Sequence, residues 1–341
     1  MNSIERVGIL LMNTGTTAAP RAAETRTYLR EFLSDPRVLD INPISRWLIL
    51  NLFILPFRPA KSAEAYEAVW TETGSPLLAL SEKLLERLRQ RMPEAAIEIG
   101  MRYGKPSITE AFDKLIAQDV DRILAVPLFP QYASAANGSV LEMVHRLAAE
   151  KWNVPPISTL PAFYLDEGFI DSWVAVSKPI LDDFEADLVL MSYHGLPERQ
   201  VKKSDPGGRH CLVKSGCCDR AVPENAYCYR HHCMETSRAL AAKLGLANEQ
   251  WQVSFQSRLG RDPWLKPPTD EVVPALPKQG VKRLAVLCPA FTVDCLETLE
   301  EIGIRAKEDF LGAGGEAFQL VPCLNDHPKW VNALANMLQQ I

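Results

Sequence analysis

The chain has 341 residues, of which 47% are hydrophobic, and this composition favours two domains with sizeable cores. The net charge of −5 argues against a nucleic-acid partner, because surfaces that bind phosphate backbones are basic. The first residues, MNSIERVGILLMN, form a short apolar run without a cleavage site. We therefore expect no secretory signal, a cytoplasmic location and reduced cysteines.

Strand-like and helix-like runs alternate along the chain. The runs with strand character are 7–13, 96–104, 122–130, 156–163, 186–195, 251–258, 283–291 and 317–324. The runs with helical spacing of apolar residues are 25–33, 108–117, 139–150, the stretch through Trp173 and Ile180, 234–244, 296–310 and the end of the chain from Trp330. This alternation is typical of parallel sheets with helices on both faces.

The most apolar stretch is ISRWLILNLFILPFR, residues 44–58. It is shorter than the roughly 20 apolar residues that span a membrane. One interpretation is a buried core helix, and the other is an apolar lip that enters a membrane interface or grips an apolar ligand. Trp47 and the basic residues at both ends favour the lip, so we expect Leu50 and Phe53 to be exposed.

The two halves of the chain resemble each other. GMRYGKP and AVPLFPQY in the first half are similar to SFQSRLGRDPW and VLCPAFTV in the second. We therefore expect two doubly wound α/β domains with a cleft between them, lined by the carboxyl ends of their strands. Neither G-x-G-x-x-G nor G-x-x-x-x-G-K-[ST] occurs in the sequence, so no nucleotide cofactor is expected.

Titratable side chains follow two of the predicted strands. His194 ends a buried strand and precedes Gly195, where it could accept a proton, although a lone histidine is commonly structural. Glu297, Glu300 and Glu301 lie at the start of a predicted helix, with Glu297 and Glu301 four residues apart on one face. Acidic residues in a first helical turn also stabilise the helix dipole, so both groups allow a structural interpretation.

A set of motifs in fixed order resembles the ferrochelatase family over nearly the whole chain. The motifs are GILLMNTGT, YLREFLSDPRV, VWTETGSPL, GMRYGKPS, PLFPQYASAANGS, SYHGLPER, FQSRLGRDPWL, PPTDE and CPAFTVDCLETLEEI. The resemblance implies a lyase that inserts Fe²⁺ into protoporphyrin IX as the last step of heme biosynthesis, without a nucleotide or organic cofactor. It also implies two Rossmann-like (chelatase-like) domains around a porphyrin cleft.

The same resemblance implies domain limits and a location. The first domain would cover 1–160 and carry the lip at 44–57. The second would cover 161–341, with a cysteine-rich insertion at 205–233 and a last helix that packs back on the first domain. The lip implies peripheral association with the inner-membrane surface. A homodimer is left open.

By the resemblance, His194 is the catalytic histidine and Glu297 is its acidic partner, both placed to handle the substrate Fe²⁺. Glu301 continues the acidic line. Some family members have a histidine in place of Cys295, which leaves metal handling there open. The positions that match the porphyrin-lining residues of the family are Thr14, Arg102, Tyr103, Tyr132 and Trp264.

Five of the eight cysteines lie in CLVKSGCCDRAVPENAYCYRHHC, residues 211–233, within an insertion relative to simpler ferrochelatases. Their spacing fits a zinc site that also uses His210, His231 or His232, an iron–sulfur site, or idle thiols. Some bacterial ferrochelatases carry a [2Fe–2S] cluster on an internal segment. That resemblance implies ligands among Cys211, Cys217, Cys218, Cys228 and Cys233, with only one of the adjacent pair ligating and Cys233 among the four.

Two other functions fit parts of the pattern. One is a chelatase with different substrates, such as cobalt with a corrinoid precursor or iron with coproporphyrin. The other is an iron–sulfur redox or sensor protein with a vestigial cleft. The presence of both His194 and Glu297 argues against the second.

Overall fold

Two four-stranded parallel sheets organise the chain in the computed structural model, which describes residues 6–258, 260 and 262–341. Contacts divide the chain into unit 1 (Met1–Phe129, Ser134–Pro161 and Val331–Ile341) and unit 2 (Pro130–Ala133 and Ala162–Trp330). The predicted α/β class with parallel sheets is confirmed. The predicted motif FQSRLGRDPWL includes Leu259 and Arg261, which lie outside the described residues.

Unit 1 contains a sheet with the strand order β2-β1-β3-β4. Its strands are β1 (Val7–Gly15), β2 (Ala96–Tyr103), β3 (Arg122–Pro127) and β4 (Ile157–Thr159). Its helices are α1 (Ala22–Ser34), α2 (Pro43–Leu48), α3 (Leu55–Val69), α4 (Pro76–Arg91), α5 (Ile108–Ala117) and α6 (Ser139–Ala149). Strand β1 is central and pairs on both sides, so its apolar run Ile9–Met12 is almost completely buried, as a parallel strand requires.

The segment 44–58 is only partly exposed. It forms α2, a π-helical turn at Ile49–Ile54 and the start of α3. Its exposed apolar side chains are Ile44, Trp47, Leu48, Ile49, Leu52, Phe53 and Phe57. The expectation for Leu50 was wrong, because this side chain is buried with Tyr28 and Leu29 in the core of unit 1. The segment is amphipathic, and Leu50 anchors the side opposite Phe53.

Unit 2 has the equivalent strand order, β6-β5-β7-β8. Its strands are β5 (Leu188–His194), β6 (Trp251–Gln256), β7 (Arg283–Leu287) and β8 (Ala317–Leu320). Its helices are α7 (Glu167–Phe184), α8 (Glu198–Lys203), α9 (Tyr229–Leu244), α10 (Thr269–Ala275), α11 (Leu296–Leu299) and α12 (Lys307–Gly312). The last helix, α13 (Pro328–Gln339), belongs to unit 1 from Val331 onward. The equal strand order of the two sheets is the structural counterpart of the repeat in the sequence.

The helix expected at 296–310 is interrupted. Helix α11 is followed by a π-helical turn at Glu301–Ala306, and α12 begins only at Lys307. Glu297 and Glu301 therefore do not sit on one regular α-helix. Turns of this kind occur frequently at functional sites.

None of the helices in the described part of the chain is both long enough and apolar enough to cross a bilayer.

Candidate active site

His194 is the last residue of the central strand of the second sheet. In the parallel register it is paired with Gln256, the last residue of β6. Its Nδ1 lies 2.7 Å from the carbonyl oxygen of Gly195. Because a carbonyl can only accept, Nδ1 carries the proton of the neutral ring, and Nε2 holds the lone pair that can accept another.

Gly195 allows a close approach on one side of His194. A Cβ at this position would lie 2.7 Å from the carbonyl oxygen of Gln256 and 3.2 Å from the ring of Trp264. Any larger residue would push the turn away from both groups. The Trp264 ring therefore packs against the turn that carries His194.

Glu301 is held by the residue that follows β6. The backbone N–H of Ser257 donates to its Oε1 at 2.8 Å, and the Ser257 hydroxyl donates to its Oε2. Ser257 has a φ of +66°, a strained conformation for a residue with a Cβ, which aims both donors at the carboxylate. Gln256 fixes the neighbouring turn by donating to the backbone oxygen of Glu297 at 2.7 Å.

The environment of Glu301 opposes ionisation. Burial raises the pKa of Glu301. The Ser257 hydrogen bond, the charge of Arg305 and the charge that His194 carries when it is protonated offset only part of this rise. The carboxylate of Glu297 raises it further. His194 and Glu297 both act on the charge of Glu301, so the three predicted catalytic residues lie near one another in unit 2.

Cys295, which stands where some family members have a histidine, lies beside Glu297. It is buried at the start of α11, and burial with the nearby Glu297 raises the pKa of its thiol well above the usual range.

Arg102 and Tyr103 form a buried polar cluster around Asp35 in unit 1. Arg102 donates to the Asp35 carboxylate and to Ser139, each at 2.8 Å. The Tyr103 hydroxyl also donates to Asp35, at 2.8 Å, and its ring is 2% exposed. The structure thus places Arg102 at the half-buried edge and Tyr103 inside the unit. Thr14, the third predicted residue of this unit, is half-buried near the end of β1.

Tyr132 belongs to unit 2. The side chain of the preceding Gln131 donates to the carbonyl oxygen of Pro289, just past the end of β7, at 3.4 Å. The turn that carries Tyr132 therefore lies beside the strand ends that carry the three catalytic candidates.

Four of the five cysteines in the insertion converge. The sulfurs of Cys217 and Cys218 are 3.9 Å apart. The thiol of Cys228 is near enough to affect the pKa of both Cys211 and Cys218. The sulfurs of the adjacent pair therefore lie side by side.

Two donors point at these sulfurs. The backbone N–H of Leu212 faces the Cys217 sulfur at 3.4 Å, and the Arg230 guanidinium faces the Cys218 sulfur at 3.1 Å. Leu212 has a φ of +59°, a strained conformation for leucine. Donors of this kind stabilise thiolates rather than thiols, whereas burial raises the pKa of Cys211 and Cys217 when no metal is bound.

Two buried polar residues shape the insertion. The Asp205 carboxylate accepts the backbone N–H groups of Gly207, His210 and Cys211. The Asn225 amide donates to the carbonyl oxygens of Cys217 and Arg220. The cysteine-bearing backbone is thus fixed by hydrogen bonds that do not involve the sulfurs.

Cys233 and two histidines are engaged elsewhere. Cys233 is fully buried in α9, near Tyr229 and Tyr193. Nε2 of His210 lies 3.0 Å from the carbonyl oxygen of Cys217. His232 uses both ring nitrogens in hydrogen bonds, to Tyr132 and Ala226. His231 differs from them, because both of its ring nitrogens are buried without a hydrogen-bond partner, so one imidazole of the described segment remains open to a zinc site.

No group of three or more His, Cys, Asp or Glu side chains is disposed to hold a single metal ion within 6–258, 260 and 262–341. A surface cavity of about 270 Å³ reaches Cys217, so the cysteine group is not sealed from solvent. The residues that line it are Glu198, Leu212, Lys214, Gly216, Cys217, Arg230, Leu265 and Lys266.

Ser257, Asp35 and Arg230 were not singled out from the sequence. Ser257 and Asp35 lie inside the family motifs, in FQSRLG and SDPRV, so the sequence could have indicated both as site residues. No sequence signal indicated Arg230, because its contact with Cys218 depends on how the insertion folds.

Comparisons with known proteins agree with these motifs. The sequence model of the ferrochelatase family matches residues 6–341. A ferrochelatase from Coxiella burnetii (strain Dugway 5J108-111) is 45% identical over 336 residues, covering 98% of this chain and 94% of that protein. A ferrochelatase from Pseudomonas putida (strain W619) is 43% identical over 333 residues, covering 97% and 98%.

Solved structures show the same fold at low sequence identity. SirB from Bacillus subtilis with Fe³⁺ matches with a TM-score of 0.57 and 15% identity, over 98% of this chain and 95% of that one. The cobalt complex of the sirohydrochlorin chelatase SirB from Bacillus subtilis subspecies spizizenii matches with a TM-score of 0.54 and 12% identity, over 98% and 94%. The predicted chelatase-like fold is thereby confirmed.

Proposed function

The chain belongs to the ferrochelatase family, and we propose on this basis that it inserts Fe²⁺ into protoporphyrin IX to form protoheme, the last step of heme synthesis. The observation that carries the proposal is the set of His194, Glu297 and Glu301 at the strand ends of unit 2, in a chain that matches the family from residue 6 to residue 341.

The reaction requires a base and a strained substrate. Free protoporphyrin carries two pyrrole N–H protons. Both must leave before the ring can bind Fe²⁺, because the porphyrin binds the metal as a dianion. The nitrogens must also tilt out of the ring plane to meet the metal. Binding contacts away from the nitrogens can hold the ring in such a distorted shape.

We propose that His194 accepts the pyrrole protons. The hydrogen bond from Nδ1 to Gly195 orients the ring and leaves Nε2 as the acceptor. An imidazole titrates near neutrality, so it can take a proton and release it within one turnover.

We propose that Glu297 and Glu301 move the proton away and replace water on the incoming Fe²⁺. The raised pKa of Glu301 suits a proton acceptor, because a carboxyl that ionises less readily binds a proton closer to neutral pH. Glu297 lies nearer the start of α11, and its charge acts on Glu301 directly.

Other residues are proposed to contact the porphyrin. Trp264 and Tyr132 would stack on the ring, and Arg102 would meet a porphyrin carboxylate. Thr14 is retained as a contact on the family pattern. Tyr103 is buried against Asp35, so we propose that it positions Arg102 rather than touching substrate.

The test is protoheme formation from Fe²⁺ and protoporphyrin IX under anaerobic conditions, followed by absorption. His194→Ala should lose turnover by at least about 10²-fold while still quenching porphyrin fluorescence. Coproporphyrin as substrate, and cobalt with a corrinoid precursor, are the comparison reactions. Faster turnover of either would reassign the substrate, and near-normal turnover by His194→Ala would remove this residue from proton transfer.

We further propose a [2Fe–2S] cluster on Cys211, Cys217, Cys218 and Cys228. Four thiolates suffice for such a cluster, and these four sulfurs converge while Cys233 packs in the core. The N–H of Leu212 and the Arg230 guanidinium suit bound thiolates. When bound, the cluster would supply a coloured one-electron centre and tie the insertion together.

Absorption and acid-labile sulfide in single-cysteine variants test this assignment. Cys211→Ala and Cys217→Ala should lose the visible bands, and Cys233→Ala should keep them. A colourless wild-type protein with one equivalent of zinc and no labile sulfide would overturn it. Loss of colour in Cys233→Ala at unchanged melting temperature would make Cys233 a ligand.

We propose that the exposed side of 44–57 is an apolar lip that associates with the inner-membrane surface. It presents two phenylalanines and Trp47 to solvent, with Arg46 and Arg58 beside them. Aromatic and basic residues together favour the interface of an anionic membrane.

A further inference from the structure

The cysteine-rich segment touches the turn that carries Tyr132. The backbone N–H of Tyr132 donates to Nδ1 of His232 at 3.1 Å. The Tyr132 ring meets the ring of Tyr227 edge-on, with 5.1 Å between centroids and 68° between planes. The amide of Gln131 donates to the hydroxyl of Thr236 at 3.0 Å. Residues 227–236 therefore hold the backbone and the ring of Tyr132, and also the side chain of the preceding Gln131.

His232 is built as a fixed support. Its Nε2 donates to the carbonyl oxygen of Ala226 at 3.0 Å, and its ring stacks on Tyr164 at 3.8 Å and 8°. Only the neutral ring with its proton on Nε2 can make both hydrogen bonds. Burial lowers the pKa of His232 to about 4, which keeps the ring in that form at neutral pH.

The supports are connected to the cysteine group through the chain. Tyr227 directly precedes Cys228, and the Cys228 N–H donates to the carbonyl oxygen of Asn225 at 2.9 Å. Ala226, which fixes His232, lies between Asn225 and Tyr227. The Tyr227 ring is 60% exposed, so its orientation depends on this backbone and on the Tyr132 contact rather than on core packing.

We infer that Tyr227 and His232 are positioning residues for Tyr132, and that the cysteine-rich segment thereby supports porphyrin binding. The inference rests on the proposed function, because it takes Tyr132 as a porphyrin contact. It assigns the insertion a role in substrate affinity that does not require electron transfer.

The experiment measures KM for protoporphyrin IX, kcat and visible absorption in Tyr227→Ala, with Tyr227→Phe as the conservative variant. An edge-on aromatic pair is worth enough to raise KM roughly two- to tenfold when one ring is lost. We expect this rise in Tyr227→Ala with kcat nearly unchanged, and recovery in Tyr227→Phe, because the contact uses ring edges rather than the hydroxyl.

Val213→Ala is the matched control, since Val213 is 59% exposed in the same segment and away from Tyr132. Its KM should equal that of the wild type. Tyr132→Ala separates the hypothesis that Tyr132 contacts porphyrin from the hypothesis that Tyr227 positions Tyr132. If Tyr132→Ala raises KM and Tyr227→Ala does not, the positioning role is overturned while the proposed contact stands. If neither raises KM, Tyr132 does not contact porphyrin, and the inference falls with that assignment.

Discussion

The lip makes a quantitative prediction, because its two sides have opposite burial. Phe53 and Phe57 are 66% and 76% exposed, whereas Leu50 is 3% exposed. Complete burial of a phenylalanine side chain is worth about 1.5–3 kcal/mol. Roughly two-thirds of that area is available here, which gives about 2–4 kcal/mol for both rings together. Phe53→Ser combined with Phe57→Ser should therefore weaken vesicle binding by roughly 30- to 700-fold.

The free energy of unfolding should show the opposite order, with little effect from the two serine substitutions and a large effect from Leu50→Ala. Removal of two exposed side chains should change the free energy of unfolding by less than about 0.5 kcal/mol each. Leu50→Ala opens a cavity in the core of unit 1 and should cost about 2–5 kcal/mol, with no change in vesicle binding.

Sedimentation with vesicles of anionic and zwitterionic lipid measures the first effect, and thermal unfolding measures the second. The reasoning is refuted if the double serine variant binds vesicles as the wild type does but melts several degrees lower.

Three further predictions concern single charges. Glu297→Gln should lower kcat by about 10²-fold, and equal kcat across pH 6–9 would reduce Glu297 to a helix-terminus charge. Burial raises the pKa of Asp35, but hydrogen bonds from Ser139, the Arg37 N–H and Tyr103 outweigh it and leave the pKa below its usual value. The stabilisation from ionised Asp35 is therefore complete above the unfolded pKa near 3.9 and is lost as pH falls through the lower folded pKa. Asp35→Asn should accordingly make the melting temperature depend less on pH in the acid range. If the proposed cluster is present, Arg230→Gln should shift its midpoint potential to more negative values in a potentiometric titration, and an unchanged potential would show that the guanidinium does not act on the sulfur.

Most strands were predictable because they are buried apolar runs in a repeating strand–helix order, whereas the half-buried β4 was predicted from its place in that order. Strand β5 is buried along Leu188–Tyr193, and its end at a histidine could be read directly from the sequence. Residues 128–130 and 288–291 extend the apolar runs of β3 and β7 but lie beyond the ladders, because they form the turns that carry Gln131 and the Pro289 carbonyl. Apolar character alone does not distinguish a strand from the turn that follows it.

The details of the site could not be predicted from the sequence, because they depend on backbone geometry. The π-helical turn at Glu301–Ala306 has no sequence signature that separates it from an α-helix, yet it decides where Glu301 points. The positive φ of Ser257 is equally invisible in a sequence, since serine rarely adopts it. Leu50 was grouped with its exposed neighbours because aromatic and basic residues flank the whole stretch, and these flanking residues do not indicate which apolar side chain faces the core.

The position of the cysteine-rich insertion has a physical consequence. It begins after α8, which follows the His194 turn, and it ends in α9, which holds the Tyr132 turn. Its anchors Asp205 and Asn225 bond to backbone rather than to sulfur, so the segment should keep its course without a cluster but lose the constraint that closes it on itself. Loss of the cluster should then loosen Tyr227 first, because its backbone adjoins Cys228 and its ring is exposed. The expected result is weaker porphyrin binding before any loss of the His194 and Glu301 geometry, which is fixed by β5, β6 and Ser257.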